Sequence, residues 1–83
     1  MASIAVSVRN DTSDSQNAHV FDQFASGARE VNGSPFALAR NETSPSFGVF
    51  ANDDGTGMIK YRCENGPSNS GILVHDGSIA PIE

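Results

Sequence analysis

Clusters of turn-forming residues break this chain at roughly ten-residue intervals, and the apolar stretches between them are too short for helices that could cross over a sheet. Residues 10–17, NDTSDSQN, are uninterrupted polar chain, and most of them can hydrogen-bond their own backbone in turns. Residues 41–46 around Pro45 and residues 65–70 around Gly66-Pro67 repeat that chemistry. What lies between must pack as short strands.

Ile4, Val6 and Val8 alternate with Ser3, Ala5, Ser7 and Arg9, which sets the aliphatic side chains on one face of a strand. Residues 18–24, AHVFDQF, fit two periods. Val20, Asp22 and Phe24 alternate with His19, Phe21 and Gln23, whereas Phe21, Phe24, Ala25 and Ala28 also stand at helical spacing. Gly27 weakens a helix and no stop signal follows, so a strand is favoured. Asn32-Gly33 between Val31 and Ser34 predicts a two-residue hairpin, because both positions tolerate positive φ. Residues 71–75 and 79–82 flank Asp76-Gly77-Ser78, which predicts a second hairpin, with Pro81 marking an edge strand. The expected fold is all-β: a small antiparallel β-sandwich, immunoglobulin-like or jelly-roll-like, or a small barrel, of about six to eight short strands. A chain of 83 residues is expected to make one domain over residues 1–83 with one core.

The stretch FGVFANDDGTGMIKYRC, residues 47–63, carries adjacent carboxylates at Asp53 and Asp54 and raises the question of a calcium loop. A loop of the EF-hand type needs oxygen ligands at its first, third and fifth positions, a glycine at the sixth and a bidentate glutamate at the twelfth. Starting from Asn52 puts Cys63 at the twelfth position; starting from Asp53 puts Glu64 there but leaves Gly55 and Gly57 where ligands are needed. Neither register works. A three-residue loop, Asp53-Asp54-Gly55, closed by Asn52 and Thr56 instead sets Val49 opposite Ile59 and Phe47 opposite Tyr61, on one side of a sheet. Such loops combine a type I turn with a left-handed glycine. The loop therefore reads as architecture, and Phe50 is left on the polar face, where with Met58 it would mark an interface or a covering sheet.

Ten acidic residues against five basic ones give a net charge of −5 at pH 7, which repels phosphate backbones and argues against a nucleic-acid partner. No apolar run reaches the roughly 18 residues of a membrane helix, and Met1-Ala2-Ser3 leads into the first strand without a basic start or an apolar signal core. The chain as written fits the cytoplasm; removal of a leader would make it extracellular. Cys63 is the one cysteine, so no disulfide forms within the chain, and it reads as a small buried hydrophobe.

The chemistry-bearing residues are few. His19 and His75 are the two imidazoles, with Asp22 and Asp76 near them in sequence, but neighbours on a strand face opposite ways, and no nucleophile elbow accompanies them. No His or Cys pair stands at zinc-ligand spacing. Asn10, Asn32 and Asn41 each begin a formal glycosylation triplet, although Asn32-Gly33-Ser34 doubles as a turn. Most of the six aromatics, Phe21, Phe24, Phe36, Phe47, Phe50 and Tyr61, are expected inside. The reading that emerges is a non-enzymatic binding or assembly module, recognising a carbohydrate or protein ligand through polar loops or associating with a second copy through edge strands. The ligand-binding candidates are Asn52, Asp53, Asp54, His75 and Asp76, with no cofactor, no catalytic residue and no metal assigned. The alternative is a small calcium-dependent or hydrolytic protein that uses the same acidic loop residues.

Overall fold

The alternation at the N-terminus forms a strand. In the computed structural model, which describes residues 2–83, β1 runs over Ala2–Asn10 and buries Val6, Val8 and Asn10. Seven more strands follow among the described residues: β2 (Gln16–Asp22), β3 (Arg29–Glu30), β4 (Phe36–Leu38), β5 (Phe47–Ala51), β6 (Gly57–Cys63), β7 (Ser68–Val74) and β8 (Ile79–Ile82). These residues contain no helix, and the chain is all-β.

The strands make two sheets, one ordered β5-β1-β8 and the other β3-β2-β6-β7, with β4 sharing the β2 edge with β3. Alternate residues of both sheets turn inward. Val6, Val8, Phe47, Val49 and Ile82 from the first meet Val20, Phe36, Ile59, Tyr61 and Val74 from the second in one core. The rings of Phe36 and Phe47 stack across it with centroids 5.5 Å apart. Of the expected strand at residues 18–24, residues 18–22 are strand, whereas Gln23 and Phe24 lie in the turn that follows; Phe21 faces outward because Ala18, Val20 and Asp22 take the inner positions. Of the six aromatics, Phe36, Phe47 and Tyr61 are buried, while Phe21 and Phe24 are half-buried and Phe50 is exposed, fewer inside than composition suggested.

The loop at residues 52–56 closes as the sequence implied. Asn52 and Thr56 bracket it through Asn52 N–H donating to the Thr56 carbonyl at 3.0 Å, and Gly55 takes φ +85°. Its arms then part. β5 pairs with β1 and β6 with β2 and β7, so Phe47 and Val49 meet Ile59 and Tyr61 across the core from the opposing sheet, not side by side on one sheet. Gly57 permits the parting: a Cβ there would stand 3.0 Å from the Phe50 carbonyl oxygen and 3.2 Å from Ile4 Cδ1.

Two expected hairpins are absent, for a shared reason. A two-residue hairpin of type I′ needs positive φ at both central residues, but at Asn32-Gly33 and Asp76-Gly77 only the glycine is left-handed. Neither turn here closes the strands that flank it on each other. The Asn32-Gly33 turn lies in a bulged edge, where β3 and β4 both pair with β2 and the Ser34 hydroxyl accepts the Val20 N–H at 2.9 Å. Residues 75–78 carry the chain from one sheet to the other, so that β8 enters beside β1 and runs parallel to it. Ala5 fixes that crossing: its N–H donates to Asp76 Oδ1 at 2.9 Å, and its carbonyl accepts the Gly77 N–H at 2.7 Å. Pro81 does lie on an edge strand.

Candidate functional site

The pairing of Gly57 with Val74 puts the turns at residues 52–56 and 75–78 at the same end of the sandwich. Asn52, Asp53, Asp54, His75 and Asp76 are thereby brought to one region, and all five are exposed. Three of their side-chain oxygens, on Asn52, Asp54 and Asp76, hold the turns. Asn52 Oδ1 and Asp54 Oδ1 both accept the Thr56 N–H, at 3.1 and 2.9 Å, and Asp76 accepts from Ala5. Hydrogen bonds from the Thr56 side chain and backbone hold the Asp54 carboxyl below its ordinary range, with a smaller contribution from the charge of His75. Among the described residues no group of three or more His, Cys, Asp or Glu side chains is arranged to hold a metal ion.

A second region was marked in the sequence by Phe50 alone. The free edge of β5 and the β3 edge of the opposing sheet leave a cleft of about 360 Å³ between them. Ala25, Val31 and Val49, all buried, make its apolar floor. Ser3, Arg29, Asn32 and Phe50 stand exposed around it. Asp22, 5% exposed, closes the inner end and ties the two sheets: Oδ2 accepts the Phe50 N–H at 2.8 Å and Oδ1 accepts the Phe24 N–H at 3.0 Å. Because Phe50 N–H points away from β1, strand alternation directs the N–H and C=O of Gly48 the same way, toward the cleft. With no side chain and nothing within 4 Å of where one would begin, Gly48 leaves that backbone accessible.

The two regions differ in what their polar groups are doing. The side chains of Ser3, Arg29 and Asn32 make no hydrogen bond or ion pair among the described residues, whereas those of Asn52, Asp54 and Asp76 do. Glu30, also on the cleft rim, is engaged elsewhere: Oε2 accepts the Ser34 hydroxyl at 2.7 Å and lies 3.0 Å from His19 Nδ1. One signal in the sequence did point here. Alternation left Phe50 on the polar face, and it is 37% exposed. Arg29 and Asn32 carried no such signal, since only the facing of two sheets brings residues some twenty positions apart to one cleft.

Models of known protein families, curated protein sequences and solved structures were each compared with the chain, and none matches.

Proposed function

We propose that the protein is a non-enzymatic binding module that takes a carbohydrate in the cleft between β3 and β5. The observation that carries this reading is the pairing of an exposed aromatic ring, Phe50, with polar side chains that have no partner among the described residues, Ser3, Arg29 and Asn32. A sugar presents an apolar C–H face and a belt of hydroxyls. Phe50 supplies an apolar surface for the first, and Arg29, Asn32 and the backbone of Gly48 supply donors and acceptors for the second. A volume of about 360 Å³ is at the low end of the range for small-molecule sites, which suits a short segment of a glycan. The acidic loop residues play a supporting part by shaping the end of the sandwich.

A glycan array probed with the intact chain tests this. Binding to one or more neutral glycans should fall by about tenfold or more in Phe50→Ala and Arg29→Ala, the loss expected from removing a stacking surface or a charge-assisted hydrogen bond, and should survive in Asp53→Asn. An array silent for the wild-type protein, or binding indifferent to Phe50 and Arg29, removes the proposal.

A further inference from the structure

The outer face of the five-stranded sheet carries a separate concavity. Strand alternation turns Phe21 outward from β2 and Lys60 and Arg62 outward from β6, and the pairing register sets Phe21 beside Lys60 and His19 beside Arg62. Lys60 Nζ stands 4.9 Å from the centre of the Phe21 ring. Next to them β7 has one more residue than β6 between the Ile59–Ile72 and Tyr61–Asn69 pairs. This bulge is pinned by Gln23 Nε2, which donates to the Ser70 carbonyl at 2.6 Å. The result is a groove of about 240 Å³ along Phe21, Lys60, Arg62, Ser68 and Ser70. It shares no lining residue with the cleft at Phe50.

Charge makes this groove unusual for the chain. Acidic residues outnumber basic ones ten to five, yet neither Lys60 nor Arg62 forms an ion pair among the described residues. The carboxylates that face this side, Glu30 and Glu64, are turned to His19, at 3.0 Å from Nδ1 and 2.7 Å from Nε2. Glu64 also accepts from Asn17 at 2.9 Å, and Glu30 from the Ser34 hydroxyl. Two cations on one strand face, an aromatic ring beneath one of them and serine hydroxyls opposite form a complementary surface for a ring that bears an oxyanion. A guanidinium and an ammonium supply charge-assisted hydrogen bonds to the anion, and the Phe21 ring, beside the Lys60 ammonium 4.9 Å from its centre, supplies apolar surface to the groove.

We propose that this groove is a binding site for an acidic sugar, its sulfate or carboxylate held by Lys60 and Arg62 and its ring lying against Phe21. The site stands independently of the cleft between β3 and β5. Amide NMR titrations of the intact chain with glucose 6-sulfate, glucuronate, glucose and sodium sulfate test it, the first two distinguishing sulfate ester from carboxylate as the anion. At least one acidic sugar should shift the amides of Phe21, Lys60, Arg62 and residues 68–70, with an affinity about tenfold or more above that of glucose or of sulfate alone. The double variant Lys60→Gln, Arg62→Gln should lose that margin with its fold intact by amide spectrum, Phe21→Leu should reduce it, and Arg29→Gln should leave it unchanged. Equal binding of glucose would mean that the cations contribute nothing, and equal binding of sulfate that the ring contributes nothing; either overturns the proposal. Shifts confined to Phe50 and Arg29, or no shifts at all, overturn it as well, the former while upholding the cleft.

Discussion

Asp22 shows how much one side chain can decide. The sequence places it among apolar neighbours at an inner strand position, and the structure buries it with both carboxylate oxygens accepting backbone N–H groups, Phe24 in its own turn and Phe50 in the opposing sheet. Edge strands at an open side of a sandwich leave such donors without partners, and here one carboxylate satisfies a donor from each sheet. Asp22→Ala would strand both. The expected loss is about 2–4 kcal/mol, since an unsatisfied buried donor costs roughly 1–3 kcal/mol and part of that is recovered if water enters the cleft. Urea denaturation monitored by circular dichroism measures it, and a loss below about 0.5 kcal/mol, the range of ordinary surface substitutions, would show that the carboxylate does not join the sheets. Asn10 has a similar place at the other end: wholly buried, it donates to the carbonyls of Asp14 and Leu38 and accepts from Thr12. Nothing in the polar run that follows it distinguishes it as a core residue.

At the scale of strands, the β3 edge is joined to the turn after β6 by a single imidazole. His19 lies between Glu30, on β3, and Glu64, just past β6. Hydrogen bonds to Glu64 and then to Glu30 raise the His19 pKa above its ordinary 6.5. The Ser34 and His19 hydrogen bonds lower Glu30, and the His19 hydrogen bond lowers Glu64, both from 4.5. A folded-state pKa above the unfolded one means that protonation favours folding, so the histidine contribution is complete below pH 6.5 and is lost as pH rises through the raised folded value. The glutamates act in the opposite sense: their contribution is present above pH 4.5 and lost as pH falls through their lowered values. The clamp is therefore fullest between these limits. Thermal unfolding of the wild type and His19→Gln across pH 4 to 9 (roughly the span over which these groups titrate) should show a Tm difference that is widest near pH 5 to 6, by the same linkage approximately, and narrows on the alkaline side. A difference that stays constant with pH would mean that His19 acts by packing alone.

For the molecule as a whole, stability comes from the contact of two sheets, and Ile59 is at its middle with no exposed surface. A domain of 83 residues has roughly 4–12 kcal/mol of stability at about 0.05–0.15 kcal/mol per residue, while Ile→Ala in a core costs about 2–5 kcal/mol. Ile59→Ala should therefore lower the urea midpoint by roughly a sixth or more, in that ratio, and leave little folded protein if the total is near its lower bound; a change too small to resolve would place the core elsewhere. Single-residue periodicity made the strands at residues 2–10 and 47–63 legible, and turn chemistry identified the three-residue loop with its left-handed Gly55. Both are local: they follow from alternation along a strand and from which residues tolerate positive φ. Partner choice is not local. Asn-Gly and Asp-Gly mark where the chain bends, but whether the strands beyond pair together, share a third strand or part into facing sheets depends on apolar surfaces distant in sequence. That is why β7 and β8 were expected to pair and instead lie in different sheets, and why Arg29 and Asn32 met Phe50 without any sign in the residues between them. By itself the sequence determined an all-β chain, most of its turn positions and most of its inward faces, because these depend on neighbours a few residues apart. Which edges were left open, and therefore where a ligand could lie, was decided only when burial of the two inner faces set one sheet against the other.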